Sequence, residues 1–279
     1  MDNRIVIEPG SKSKNYWSDL WKYRGLFYFL AWRDVLVRYK QTSIGIAWSV
    51  LRPLLTLAVM WFIGWLFGAA VPAGVPRVLM VCAATLPWQF FSGAFSEASN
   101  SLVANSNLLT KVYFPRLIIP ASTVIVCLID FFVSFIILIV LMAVCRFAPG
   151  WRICFLPVFL FIALVIAMGA GLLIAALNVK YRDFKYIVPF IVQFGVYVSP
   201  VAFSSDYIYG HVGIPASVKF IYSLNPMVGV IDGFRWCILG NSISIYRPGF
   251  ILSIGLSFFF LILGIWYFRK MEKSFADVI

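Results

Sequence analysis

An all-α polytopic membrane protein with six transmembrane helices per protomer is the fold class this sequence predicts, and three observations predict it. Apolar residues make up 62% of the 279-residue chain and charged residues 12%, where soluble domains run at about 45–50% and about 25%. The apolar residues gather into runs near the ~20 residues that carry a helix across hydrocarbon. The basic residues fall between alternate runs, as they do when cytoplasmic loops are held at an anionic leaflet. With mean hydropathy +0.92, the chain has too little polar surface for a water-facing globule. A soluble enzyme, a disordered chain and a small disulfide scaffold are excluded.

Residues 1–47 read as a cytoplasmic N-terminus. The first fifteen, with Lys12, Lys14 and Asn15, are polar and lack the apolar core of a secretory signal. From 16 to 34, Tyr16, Leu20, Tyr23, Phe27 and Leu30 recur at helical spacing. Asp19, Lys22, Arg24, Arg33 and Asp34 interrupt this stretch, so it is expected to lie as an amphipathic helix in the inner interface, with Trp17, Trp21 and Trp32 at headgroup depth. The transmembrane domain, 48–268, carries five long runs at 48–71, 78–103, 117–145, 154–177 and 250–268. A sixth, at 187–203, is near the lower limit of ~17 residues and holds Gln193. Residues 269–279 form a cytoplasmic tail.

Six crossings put both termini on one side, and charge picks the side. With the termini inside, the inner segments hold 17 of the 23 Lys and Arg residues. The positive-inside rule therefore predicts cytoplasmic termini. A nucleic-acid partner, which a net charge of +12 would suggest in a soluble protein, is not expected. On the outer side, residues 204–247 are long for a connection. Two helical stretches, 218–223 and 227–239, flank the breaker Asn225-Pro226. At ~1.5 Å per residue neither crosses the bilayer, so this region is expected to be re-entrant and to line or cap a pathway.

The sequence offers no catalytic constellation. The phosphate-cradling GxxxxGK[ST] and the G-x-S-x-G, H-E-x-x-H and Cys/His metal patterns do not occur. The single histidine, His211, reads as a solvated turn residue. The chain is expected to be no enzyme, with no metal site and no cofactor of its own. Cys82, Cys127, Cys145, Cys154 and Cys237 form no CxxC. Cys145 and Cys154 bracket one short outer loop; a disulfide would fit there, but free apolar thiols are the preferred reading.

Two carboxylates lie within the runs, Asp130 near the bilayer centre and Glu97 in the inner part of the second run. An Asp at the centre costs at least ~2.5 kcal/mol. They read either as a relay or conduit wall, or as hydrogen-bonded carboxylates that join helices. The second reading is preferred for Asp130, because a relay needs several such groups and no third is present. Aromatics, at 18%, mostly belong to lipid and interface. Because aromatic faces also stack on sugar rings, Trp61, Trp65, Trp88, Phe90 and Phe91 are candidates for lining a polysaccharide path.

Short segments become distinctive in combination. Near the start are Trp32-Arg-Asp-Val-Leu-Val-Arg-Tyr-Lys40, Gly45-Ile-Ala-Trp48 and Arg52-Pro53. Between the second and third runs lies Asn107-Leu-Leu-Thr-Lys-Val-Tyr-Phe-Pro115-Arg-Leu-Ile-Ile-Pro120. Then follow Lys180-Tyr-Arg-Asp-Phe-Lys185, Ser199-Pro200-Val201, Asn225-Pro226 with Arg235, and the ending Phe268-Arg-Lys-Met-Glu-Lys-Ser-Phe-Ala-Asp-Val-Ile279. In this order, over nearly the whole chain, they resemble the membrane (permease) subunits of type-2 ABC exporters, in the branch that exports O-antigen, capsular or teichoic-acid polysaccharides.

The resemblance implies a homodimer with a conduit between the protomers. It also implies two copies of a separately encoded cytoplasmic ABC ATPase, which would bind the ATP and Mg. Residues 105–114 would be the main coupling segment, through Asn107, Leu108, Leu109, Lys111, Tyr113 and Phe114. Residues 180–186 would be the second contact, through Lys180, Arg182 and Asp183. The 16–34 helix would be the interface helix, and 204–247 a periplasmic gate with Asn225, Pro226 and Arg235. The cargo would be a polysaccharide on undecaprenyl pyrophosphate in the bacterial inner membrane, O-antigen first. Arg24, Arg33, Arg38 and Lys40 sit at the inner headgroup level and are the candidate pyrophosphate ligands; guanidinium pairs phosphate bidentately and ammonium as a point charge. Ordinary positive-inside anchoring is the alternative for each. Rival readings are a capsule or teichoic-acid exporter, a small-molecule type-2 ABC permease, a gradient-driven carrier and an envelope-assembly scaffold.

Overall fold

The computed structural model describes residues 16–40, 46–66, 71, 74–181, 183–210, 213–240, 246–272 and 275, and the regular structure among them is all helical. In chain order the helices are α1 (Tyr16–Lys22), α2 (Arg24–Lys40), α3 (Ile46–Leu66), α4 (Arg77–Ala104), α5 (Ser106–Lys111), α6 (Ile118–Val144), α7 (Leu156–Lys180) and α8 (Phe184–Val198). Then come α9 (Ser205–Gly210), α10 (Ala216–Ser223), α11 (Pro226–Leu239) and α12 (Arg247–Met271). A 3-10 turn, Trp151–Phe155, leads into α7.

Five helices are long and apolar enough to cross a membrane: α3, α4, α6, α7 with its 3-10 turn, and α12. They coincide with the five long runs to within a few residues, except that α3 stops at Leu66 and 67–70 lie outside the described residues. The sixth run behaves differently. Its helix, α8, starts three residues early and ends at Val198 rather than 203. Pro200 explains the stop: its ring forces the preceding residue out of the helical region, and Ser199 is extended at φ −92°, ψ 153°. The 15 residues of α8 rise only ~22 Å.

Helix α4 is the axis of the bundle. In its most apolar stretch 78% of residues are buried, against 17% in α3 and 22% in α12. Helices α6, α7 and α11 surround it, and α12 packs on α7 and α11. Small residues set the spacing. A Cβ added at Gly171 of α7 would stand 2.7 Å from Ala98 Cβ of α4, and one added at Gly169 would stand 2.5 Å from the Leu261 nitrogen of α12. The central core joins Leu79, Phe95, Phe131, Ile166 and Phe234.

A second core lies at the end of the bundle where α1 starts and α12 ends. Leu102, Leu109, Phe114, Ile118, Leu172, Phe268 and Phe275 pack there with Tyr16 and Leu30. The stripe Tyr16, Leu20, Tyr23, Phe27 and Leu30 is the face that α1 and α2 turn to this core. Trp17, Trp21 and Trp32 stand exposed on the other face. Helix α2 runs on past Asp34 to Lys40, six residues beyond the expected end.

At the opposite end, Asn225-Pro226 is a helix start. The Asn225 side chain accepts from the Met227 N–H at 3.0 Å, and Pro226 occupies the first turn of α11. Both are favoured there, since the proline nitrogen has no proton to leave unpaired. Helix α11 is buried along almost its whole length. All five cysteines are free, Cys145 and Cys154 included. His211 lies outside the described residues.

Candidate functional site: a polar cavity beside the N-terminal helix

A cavity of about 620 Å³ opens between the end of α2 and helices α3, α4 and α6. Arg38, Trp48, Arg52, Trp88, Gln89 and Asp130 are among its walls. Two adjacent residues on the last turn of α2 organise it. The Arg38 guanidinium pairs with Glu97 of α4 at 3.4 Å and with Asp130 of α6 at 3.4 Å. The Tyr39 O–H donates to Asp130 at 2.6 Å. Carboxylates on apolar helices need a cation or donor to offset their desolvation, and the end of α2 supplies both. Asp130 therefore joins helices, and Glu97 shares its partner. The Gln89 side-chain nitrogen is buried with no partner among the described residues. The wall thus combines flat aromatic faces with an amide, hydroxyls and an arginine paired with two carboxylates, chemistry that suits a polyhydroxylated ring.

The four cations proposed from sequence do not form one site. Arg24 and Lys40 are separated by ~24 Å along α2. Arg24 lies 5.6 Å from the Trp21 ring. Arg33 donates to Asp34 at 2.7 and 2.9 Å and to Asn105 at 2.9 Å. Arg33 and Lys40 flank a shallow groove of about 590 Å³ with Phe29 and Trp32, while Arg38 faces the deeper cavity. The aromatic candidates also divide. Trp88 and Phe90 reach the cavity, Phe91 stacks on Phe95 in the core at 5.7 Å, and Trp61 and Trp65 stand on the exposed face of α3.

The proposed coupling segment has two faces. Leu109 and Phe114 are buried in the second core, with Leu108 packed at its edge. Asn107, Lys111 and Tyr113 are exposed. Lys180 ends α7 with its ammonium 4.9 Å from the Tyr181 ring. Asp183 is exposed nearby, and Arg182 lies outside the described residues.

At the far end Arg235 is fully buried. Its nitrogens donate to the carbonyls of Met80 at 3.2 Å, Phe203 at 2.8 Å and Val201 at 3.1 Å. Asp232, one turn before it, is buried and accepts from Ser205 at 2.8 Å. The Asn225 amide donates to Ser199 at 2.9 Å. Together these tie α11 to the turn after α8 and to the start of α4.

Sequence reasoning missed Tyr39 and Gln89 at the cavity, and Glu272 at the other core. One signal was available for Tyr39 and for the pairing of Arg38: two carboxylates on apolar helices require partners, and the Arg-Tyr pair closing the 32–40 segment was at hand.

Five helices long and apolar enough to cross a membrane, with a polar, aromatic-walled cavity beside α2, mark a multi-pass membrane protein. The chain belongs to the ABC-2 type transporter family, whose model matches residues 25–239, from α2 to the end of α11. It is 26% identical over 258 residues to the O-antigen export system permease protein RfbA of Klebsiella pneumoniae, covering 88% of this chain and 92% of that protein. It is 28% identical over 218 residues to the RfbA permease of Myxococcus xanthus, covering 78% of this chain and 81% of that protein. The fold, the family and these relatives agree on a type-2 ABC exporter permease.

Proposed function

We propose that the chain is the membrane subunit of an ATP-driven exporter that moves undecaprenyl-pyrophosphate-linked polysaccharide, O-antigen foremost, across the bacterial inner membrane. The carrying observation is the cavity at the end of α2, where aromatic faces and hydroxyl-compatible polar groups meet the Arg38 guanidinium between long apolar helices. The permease acts as a homodimer. Helix α3 leaves Trp61, Phe62 and Trp65 exposed, and α8 leaves Tyr186, Phe190, Phe194 and Tyr197 exposed, an aromatic surface for a second copy and lipid to share. Helix α8 makes the sixth crossing with the turn that follows it. Irregular backbone at membrane depth needs internal donors, and Arg235 supplies them to Val201 and Phe203. Both termini are cytoplasmic, α1 and α2 lie at the inner interface, and α9 to α11 form the outer gate.

Two ATPase subunits dock beneath the exposed face of Asn107, Lys111 and Tyr113 and beneath Lys180, Arg182 and Asp183. Tyr113→Asp places a charge on that face without touching the core. Surface polysaccharide should fall about tenfold or more, a coupling loss of ordinary allosteric size, with the permease inserted at normal abundance. Normal export from this variant, or export without a co-expressed ATPase, rejects the reading.

The pyrophosphate is received at Arg38, released from Glu97 and Asp130 as the anion arrives. Arg38→Gln removes the cation that both carboxylates share and leaves Asp130 its bond from Tyr39, and Arg38→Glu adds a third negative charge beside them. Export per inserted permease should fall in both, and about tenfold further in Arg38→Glu. Equal, wild-type export from the two would reject this role.

A further inference from the structure

We propose that Glu272 and Phe275 are positioning residues for the docking segment, clamping it to the N-terminal helix and to α12 so that a load applied by the ATPase moves all three together. This rests on the docking reading above. Helix α5 is only six residues long and has no stiffness of its own. Its flank is held at Arg116 instead. The Arg116 backbone N–H donates to a Glu272 carboxylate oxygen at 3.0 Å, and the Tyr16 O–H donates to the same oxygen at 3.3 Å. The Arg116 guanidinium donates to the Glu272 backbone carbonyl and lies 5.7 Å from the Phe275 ring. Phe275 meets Phe268 of α12 edge to face at 5.4 Å, and both rings are fully buried. Arg269 sits 4.5 Å from the Tyr16 ring.

One carboxylate oxygen thus joins residues 156 and 256 positions away in the chain. Three separate pieces meet there: the start of α1, the end of the docking segment and the end of α12. A hydrogen-bonded junction in a packed core moves as one body. A push on Tyr113 passes three residues along the chain to Arg116, then through Glu272 to Tyr16 and through Phe275 to Phe268. Helix α2 reaches the cavity, because Arg38 and Tyr39 lie in its last turn. The clasp is therefore a second bonded route from the docking face to the N-terminal helix, beside the bond from Arg33 of α2 to Asn105 at 2.9 Å, and it alone brings α12 into the junction. Burial pushes the Glu272 carboxyl and the Tyr16 phenol upward, which keeps the tyrosine proton in place as a donor.

The test uses the full chain with its ATPase and compares Glu272→Ala, Phe275→Ala and Glu272→Gln. Two quantities are read: the ATPase that co-purifies with the permease, and the surface polysaccharide exported per ATP hydrolysed by the complex. Glu272→Ala and Phe275→Ala should retain bound ATPase and lose about tenfold in export per ATP. Glu272→Gln keeps the oxygen that accepts from Arg116 and Tyr16, so it should stay within about twofold of wild type. An unchanged ratio in Glu272→Ala overturns the proposal. So does a loss of permease abundance in Glu272→Ala and Glu272→Gln alike, which would make the clasp a stability feature only. Failure of the docking reading is separable: there, Tyr113→Asp leaves export normal.

Discussion

Gly264→Val should abolish accumulation of the folded permease, whereas Gly255→Val on the same helix should be tolerated. The two glycines lie on α12 nine residues apart in the sequence, and what they face decides the outcome. A Cβ added at Gly255 meets nothing within 4 Å. One added at Gly264 would overlap the carbonyl oxygen of Gly169, with the Gly169 carbonyl carbon at 2.9 Å and its Cα at 3.2 Å. Gly169 is closed from its own side, where an added Cβ would stand 2.6 Å from the Phe260 carbonyl carbon. These are backbone atoms, so no rotamer change relieves the overlap. Close helix approach through small residues is the usual way membrane helices associate, because lipid offers no hydrophobic drive between them. A valine here forces α7 and α12 apart along their length, beyond the ~1–3 kcal/mol of ordinary overpacking. Membrane abundance and monodispersity in detergent measure the effect. Accumulation of Gly264→Val at the level of Gly255→Val would refute the close-packed seam.

How much of this was legible in the sequence depends on whether the cause was local. The long runs were, because bilayer thickness imposes a length that composition reveals. The stripe from Tyr16 to Leu30 was, because helical spacing alone picks the face that packs. Asn225-Pro226 was visible as a punctuation mark but not as the start of a buried helix; the dipeptide interrupts one helix and begins another with the same chemistry. The stop of α8 at Val198 was available too, in Pro200, but continuous hydropathy across 187–203 obscured it. The clustering of cations was not legible. Arg24, Arg33, Arg38 and Lys40 look equivalent in a string, and only the packing of α2 against α4 and α6 separates Arg38 from the rest. Leu109 and Phe114 looked like docking residues because of where they fall in the chain, but the apolar side chains of a six-residue helix and the turn after it have a core to anchor them first. Partners that are backbone carbonyls, such as those of Arg235, have no sequence signature at all.

Arg235→Ala should be the most damaging substitution at the far end of the bundle. The guanidinium spreads its three hydrogen bonds over the carbonyls of Met80, Val201 and Phe203. Val201 and Phe203 lie in the non-helical turn between α8 and α9, where Arg235 is the donor their carbonyls share. Each buried group left unpaired costs about 1–3 kcal/mol. Three carbonyls lose their donor at once, while Asp232 keeps its bond from Ser205 at 2.8 Å. Those sums are a large share of a total stability of about 5–15 kcal/mol. Lysine is not a substitute, because a compact ammonium on a flexible stem cannot hold the spread of a planar fork; Arg235→Lys should fall between alanine and wild type. Asp232→Asn keeps an oxygen for Ser205 and should be mild. The measurement is the thermal midpoint of the detergent-solubilised permease, read by size-exclusion recovery after heating, with surface polysaccharide assayed in parallel. The expected order is wild type, Asp232→Asn, Arg235→Lys, Arg235→Ala, with export lost in the last. A midpoint for Arg235→Ala within error of wild type would mean that the turn after α8 stands without its donor, and the support assigned to the sixth crossing would be withdrawn.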